Sequence, residues 1–537
     1  MTRKTRTGGA PAAADPADGH GGGVVSRATG QSARREAPLA MDAAMFREAG
    51  HRLVDRLAEL MESIPRRPVT RGETPAAVRE ALGLGGPLPE QGENPVALLE
   101  RTAGLLFDHS LFNAHPRFFG YITSSPAPIG VLGDLIASAT NPNVGAWILS
   151  PAATEIEAET VRWIAQLIGY PTTCGGLLLS GGNVANIVCL LAARAAMADG
   201  DVRVEGMAGA EGMSGAAGAP RRRQRIYASA ETHTWLQKAA DIAGMGTASI
   251  RWIPTDRSQR MDVEALARQI GADRAAGDLP LMVVGTGGTV STGAVDPLPR
   301  IAALCREQHL WFHVDGAYGA FAAAVLEAPD ELRGLSEADS VALDPHKWLY
   351  APLEAGCALV RDPARLREAF AYHPPYYRFD EQVLNYVEYG PQNSRGFRAL
   401  KVWLAFRHAG AAGYRRMISD DIRLAAHLAD VVARHPELEL VTRELSIATF
   451  RFVPADLRPR AGDEVVERHL DALNRELLDR LQSGGQAFVS NAVVNGRYLL
   501  RACIVNFHTD VPDVEALPGI VAEVGRSVDR ELRPPTI

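Results

Sequence analysis

The sequence predicts an α/β protein: a mostly parallel central sheet with helices on both faces, preceded by a helical arm and followed by a smaller α+β domain. Three observations carry this. From residue 150 to about 362, short apolar runs alternate with longer amphipathic ones, as parallel strands joined by crossover helices require. Ahead of them lie two stretches whose apolar residues recur at helical spacing. Beyond residue 405, helix and strand patterns mix as in a separate unit. The expected divisions are a disordered tail (1–38), a helical arm and dimerisation segment (39–112), a large domain (113–405) and a small domain (406–537).

Residues 1–38 are Gly/Ala/Arg/Thr-rich and too poor in apolar side chains to fold. Between Met41 and Ile64, Phe46, Leu53, Leu57 and Leu60 mark one helix, which Pro65 and Pro68 stop. A Pro/Gly-rich loop leads to a second helix over 95–108. Such a pair must cover its apolar stripe with something, and a partner subunit serves. The aromatic cluster His115–Tyr121 is either a packed loop or a pocket wall. In the alternating region, strands are expected at 177–180, 225–229, 249–254, 281–286, 311–315, 340–343 and 357–361. Helices are expected at 153–168, 184–198, 233–243, 262–276 and 298–307, with a surface insertion at 199–220. A Tyr/Pro-dense loop (372–394) precedes a helix from Arg395 to about His408. Strands then follow near 437–441, 448–452, 487–494 and 498–504.

At 537 residues the chain can bury a large core. A net charge of -7 and the lack of a basic field exclude nucleic acid as an expected partner. No run approaches the ~18 apolar residues of a membrane span. Five cysteines, scattered and never in C-x-x-C spacing, argue against disulfides and structural zinc and for a reducing compartment. A soluble cytoplasmic enzyme without a metal is the expectation.

Lysine usage singles out one residue. Among 56 Lys+Arg only four are lysines: Lys4, Lys238, Lys347 and Lys401. Arginine supplies charge everywhere else, so a retained lysine points to a task that needs a deprotonable amine. Lys4 falls in the tail, and Lys238 and Lys401 fall in helical patterns. Lys347 follows the strand Ser340–Leu343 and a Pro-His turn, at a strand end, where α/β proteins place reactive groups. It reads as a Schiff-base nucleophile.

Four further features fall at strand ends. Ser180-Gly-Gly-Asn183 opens a helix, where free N–H groups and the positive dipole end suit a phosphate, although glycine pairs also occur there for conformation alone. Asp315 ends Trp-Phe-His-Val-Asp and can pair with a pyridinium nitrogen, keeping a pyridoxal ring an electron sink; a helix cap is the alternative. His233 opens a helix, where it can stack on a flat ring or serve as a cap. Thr286, among glycines, offers a hydroxyl. Together they describe a site for a phosphate-bearing aromatic cofactor.

The segments His-Pro-Arg-Phe-Phe-Gly-Tyr (115–121), Ser-Pro-Ala-Ala-Thr-Glu-Ile-Glu (150–157), Ser-Gly-Gly-Asn (180–183), His-Val-Asp-Gly-Ala-Tyr (313–318), Asp-Pro-His-Lys-Trp (344–348) and Arg-Gly-Phe-Arg-Ala-Leu-Lys-Val-Trp (395–403) resemble those of the group II pyridoxal-phosphate-dependent amino acid decarboxylases, the aromatic-L-amino-acid branch in particular. The resemblance runs from about Met41 to the C-terminus. It implies the aspartate aminotransferase-like fold type I, a homodimer, and conversion of an L-amino acid to its amine and carbon dioxide. Related outcomes on the same fold are an aldehyde-forming decarboxylase, an aminotransferase or an inactive cofactor-binding homologue. By the same resemblance Lys347 carries the cofactor, Asp315 holds its ring nitrogen, His233 stacks on the ring and Ala317 lies beneath it. Gly181, Gly182, Asn183 and Thr286 hold the phosphate, with Asp344 near it and His346 beside the lysine–cofactor linkage. Tyr121 and Ser124 face the substrate, and the mobile-loop tyrosine that returns a proton falls on Tyr386. Asp344 replaces a common asparagine, and Ile122-Thr123 replaces an aromatic-proline pair.

Overall fold

The structure, a computed structural model, describes residues 37–206, 222–374 and 382–535. Most of the expected tail, and of the insertion beyond Gly206, lies outside the described residues. A seven-stranded sheet forms the centre: β1 (Gly175–Leu179), β2 (Gln224–Ser229), β3 (Ile250–Ile253), β4 (Leu279–Thr286), β5 (Trp311–Asp315), β6 (Ser340–Leu343) and β7 (Gly356–Val360), in the order β1-β7-β6-β5-β4-β2-β3. Strands β2 to β6 pair in parallel, and β7 runs antiparallel between β6 and β1.

Successive strand residues serve opposite faces. Leu178, Tyr227, Val283, Phe312 and Val341 enter one core, and Leu177, Ile226, Met282, Ala342 and Ala358 the other. With both faces covered, the strands read as continuous apolar runs rather than alternating ones. Register then decides where the chemistry can be. Thr286 pairs with Asp315 and Asp315 with Ala342, while Leu343 and Leu179 pair with Cys357 and Gly356 at the start of β7. The carboxyl ends of β1, β4, β5 and β6 therefore meet at one edge, where ligands bind in open α/β sheets.

The small domain is a four-stranded antiparallel sheet, β8 (Leu438–Glu444), β9 (Ile447–Phe452), β10 (Ser490–Val494) and β11 (Arg497–Cys503), ordered β10-β11-β9-β8. Asn495 and Gly496 both have positive φ, the two-residue hairpin turn that an Asn-Gly pair favours. Helices Glu464–Gly484 and Val511–Leu532 share the domain's apolar core with this sheet.

Among the departures from the sequence reading, three bear on how the domains are joined and filled. The helix expected to end near His408 continues as Ala399–Arg434, with Gly410 alone leaving helical geometry (φ 65°). Its apolar stripe extends through Ile418, Ile422, Ala425 and Leu428, joining the two domains. Helices Pro128–Thr140 and Pro363–Phe370 form in stretches given no helix. Both begin with proline, which is tolerated in a first turn because that N–H has no intrahelical partner.

Candidate active site

Lys347 lies in a single helical turn, Pro345–Trp348, directly after β6. Its Nζ is 3.1 Å from Asp344 Oδ2, and its side chain is 20% exposed, so the amine is held yet reachable. The other oxygen, Asp344 Oδ1, is buried without a hydrogen-bond partner. Ser124 Oγ donates to the His346 carbonyl (2.8 Å), and the His346 ring is tied to Ala355 O through Nδ1 (2.7 Å), which braces the turn from both sides. A cavity of about 350 Å³ opens above it, lined by Lys347 and Asp344, the Ser180–Asn183 turn, His233, Thr286, Asp315 and Ala317.

Each wall has a local cause. Gly181 has φ 107°, and a side chain on Gly182 would meet Asp344 Oδ2 at 2.6 Å, so only glycine lets the 182–197 helix start this close to the lysine turn. Thr286 Oγ1, at the end of β4, is buried with no partner. Asp315 accepts from Trp235 Nε1 (2.7 Å) and from the Ala317 amide (3.2 Å), which fixes the carboxylate's orientation. Behind it His313 is fully buried, bonded to Ser340 Oγ (2.8 Å) and Asn186 Oδ1 (2.7 Å), and burial pushes its imidazole down to about 4. It is a neutral structural bridge. His233 keeps one face open. Desolvation lowers its imidazole below the ordinary value, with Asp315 opposing, and its Nδ1 accepts from the Trp235 amide (3.2 Å), leaving Nε2 to carry the proton.

A lysine amine, a glycine turn at a helix N-terminus and an oriented carboxylate thus share one cavity, and the family match agrees with them. The model of the pyridoxal-dependent decarboxylase conserved domain matches residues 85–453. The chain belongs to this family. The decarboxylase is 31% identical to the aromatic-L-amino-acid decarboxylase of Bacillus atrophaeus, covering 89% of this chain and 94% of the relative. It is also 31% identical to the phenylacetaldehyde synthase of Petunia hybrida, over 90% of this chain and 94% of that one. Among solved structures it resembles Oryza sativa TDC bound to PLP and tryptamine, at 30% identity and a TM-score of 0.82, covering 92% and 99% of the two chains. The decarboxylase therefore has fold type I and uses pyridoxal phosphate. Its own residues fit that group: the partnerless Thr286 hydroxyl and the glycine cradle suit a phosphate, and Asp315 suits a ring nitrogen.

Three expected site residues lie elsewhere. Tyr121 is 59% exposed, with φ 52°, and takes no part in lining the cavity; its amide donates to Ser490 Oγ and its carbonyl accepts from Arg501. Ser124 acts on the lysine turn rather than on the cavity. Tyr386 is corrected most sharply. It lies in a short turn, 1% exposed, beneath the Arg395 guanidinium (4.5 Å to its ring) and among Leu177, Leu179 and Leu366. A phenol packed in the core cannot reach the cavity. The alternative tyrosines Tyr376 and Tyr377 lie outside the described residues.

Sequence reasoning also missed residues of this decarboxylase. Trp235, which orients Asp315, gave no signal beyond apolar helix pattern. Arg501 did: it interrupts the apolar strand Tyr498–Ile504. Its guanidinium is 2% exposed, Nη1 donates to Tyr121 O and Ser490 Oγ, and Nε and Nη2 have no partner. A buried cation without a carboxylate is costly unless it awaits one.

Proposed function

We propose that this decarboxylase converts an aromatic L-amino acid to its amine, working as a cytoplasmic homodimer. The observation that carries the chemistry is the placement of Lys347, Asp315 and the Gly181–Gly182 turn around one cavity. Lys347 Nζ would carry the cofactor, its amine condensing with the aldehyde with loss of water, and Asp344 holds the free amine. The N–H groups of the 182–197 helix start, with Thr286 Oγ1, bind the phosphate. Asp315, oriented by Trp235, keeps the ring nitrogen protonated. Bound there, pyridoxal phosphate supplies an electron-poor ring that accepts the electron pair left as carbon dioxide departs. Arg501, which like Tyr121 does not line the cavity, has unpartnered nitrogens that suit a substrate carboxylate. With Tyr386 in the core, His233, which lines the cavity, is the described group that returns a proton to the substrate carbon, from its protonated form.

Val290 and Leu353, both exposed, give the cavity mouth an apolar rim that suits an aromatic side chain, as the relatives' substrates do. Five free cysteines, four of them buried, accord with a reducing compartment. No helix among the described residues is long and apolar enough to cross a membrane. For the homodimer the support is uncovered apolar surface: Phe46 and Val54 on helix Ala43–Ser63, Leu98 and Leu106 on Pro95–His109, and Leu135 and Ile136 on Pro128–Thr140. Incubation with each of the twenty amino acids, followed by measurement of carbon dioxide and amine, tests the reading. Turnover of phenylalanine, tyrosine or tryptophan is expected; turnover confined to acidic amino acids overturns it.

A further inference from the structure

Trp311, His313 and Asp315 project from one face of β5, since successive strand residues face opposite sides. Asp315 lines the cavity, whereas His313 is completely enclosed behind it. An imidazole in the core is costly unless both nitrogens are bonded, and here both are. Nε2 meets Asn186 Oδ1 (2.7 Å) and Nδ1 meets Ser340 Oγ (2.8 Å). Two fixed donors set the direction of every bond in this chain. Asn186 Nδ2 donates to Gly182 O (2.9 Å), so the amide turns its oxygen to the imidazole and Nε2 carries the proton. Trp311 Nε1 donates to Ser340 Oγ (2.8 Å), whose own hydrogen goes to the bare Nδ1. The chain thus runs from β6 through β5 to the first turn of the 182–197 helix. A second contact leaves the same ring. Trp235 packs edge-on against His313 (5.8 Å between rings, 81° between planes), and its Nε1 is a donor that orients Asp315.

The ring of pyridoxal phosphate is rigid. The turn that takes its phosphate and the carboxylate that meets its ring nitrogen must therefore keep one separation. Gly182 belongs to a helix and Asp315 to a strand, and a sheet's ladder bonds join strands to strands, not to helices. His313 reaches both through one intermediary each: Asn186 on the phosphate side, Trp235 on the carboxylate side. Both intermediaries line the cavity. We infer that His313, as its Nε2–H tautomer, is a positioning residue for pyridoxal phosphate that fixes the phosphate turn relative to Asp315. The inference rests on Gly182 and Asp315 holding the cofactor, as proposed above. An apolar side chain could fill the same space, but it would leave Asn186 Oδ1 without its donor and the Ser340 hydroxyl without its acceptor. Burial pushes the imidazole down to about 4, with Asp315 opposing, so the ring is neutral near pH 7 and the chain keeps one direction.

Titration of pyridoxal phosphate into cofactor-free protein, followed by tryptophan fluorescence, gives its dissociation constant. The visible circular dichroism of the bound ring reports how it is held. In His313→Leu both bonds are gone; the dissociation constant is expected to rise about tenfold and the dichroism to fall. In His313→Gln the amide nitrogen takes the place of Nε2 and donates to Asn186. Its dissociation constant is expected to stay within about threefold of wild type, with the dichroism restored. Asn186→Leu severs the chain at its other end and is expected to match His313→Leu. Wild-type affinity in a folded His313→Leu overturns the inference. So do losses that follow the melting temperature across the variants, with no recovery in His313→Gln. If His313→Leu does not fold, wild-type affinity in Asn186→Leu overturns it instead. Gly182→Ala, whose β-carbon would crowd Asp344, checks the underlying reading separately. Inorganic phosphate bound as tightly by that cofactor-free variant as by wild type would remove the phosphate turn, and this inference with it.

Discussion

Two of the clusters of buried charge in the large domain differ in whether a cavity adjoins them. Around Glu157 and Arg395, with side chains 0% and 1% exposed, the two charges pair directly, although Glu157 Oε2 and Arg395 Nε are left without a partner. Arg395 also donates to Val144 O and Leu178 O and lies over the Tyr386 ring, while Glu157 accepts from the Leu178 amide. No ligand-sized space adjoins them among the described cavities. Around Lys347, Thr286 and Asp344 likewise each leave an oxygen unpaired, but here beside a cavity of about 350 Å³. Both clusters sit in segments that carry the family resemblance. Buried charge alone therefore does not mark function. Unpaired polar atoms together with room for a ligand do.

The contrast can be broken from either side. Lys347→Ala is expected to lower turnover at least about a thousandfold and abolish the visible absorbance of the bound cofactor, with little change in melting temperature. Borohydride label on Lys238 or Lys401 would undo the assignment; Lys401 is already paired with Asp134 at 2.9 Å. In the closed cluster, Arg395→Met leaves Glu157 an uncompensated buried charge. A loss of about 3–5 kcal/mol in denaturant unfolding is expected. Loss of turnover at unchanged stability would instead make that cluster part of the site.

Smaller effects sharpen the boundary. Asp315→Asn should keep the cofactor but lose activity about a hundredfold, since an amide cannot hold the ring proton by charge. Near wild-type turnover would leave Asp315 only as an anchor for Trp235. Arg501→Met is expected to raise KM about tenfold and to cost about 1–3 kcal/mol of stability, because Nη1 loses Tyr121 O and Ser490 Oγ while Nε and Nη2 have no protein partner. An unchanged KM would remove it from substrate binding. Tyr386→Phe deletes a buried hydroxyl that makes no hydrogen bond, so stability should shift by less than about 1 kcal/mol and amine should remain the product. Aldehyde and peroxide in place of amine would restore Tyr386 as the proton donor.

Much of this was legible in one dimension. Strand ends at Leu343, Asp315 and Thr286 appear in the sequence as apolar runs broken by a polar residue, and the structure places those ends as expected. The scarcity of lysine isolated Lys347 before any coordinates. The misplacement of Tyr386 has a plain cause. The loop 372–394 holds several tyrosines, and loop length is what varies most freely between relatives, so resemblance alone does not choose among them. Tyr121 was misplaced for another reason: an aromatic cluster has the same composition whether it lines a pocket or packs beside Phe488.

Local chemistry along the chain was enough to specify the parallel architecture and the strand ends that carry Lys347 and the Ser180–Asn183 turn. Each rests on periodicity, propensity or a residue type at a strand end, and these act over a few neighbouring positions. Everything that depends on long-range approach was settled by folding alone. Trp235 meets Asp315 across 80 positions, Trp348 meets Asp421 across 73, and Arg501 meets Tyr121 across 380. No local pattern encodes such pairs, because only the packing of the sheets and helices sets which distant side chains share a dry interior. Whether a buried charge is satisfied or left waiting for a ligand is a property of that interior.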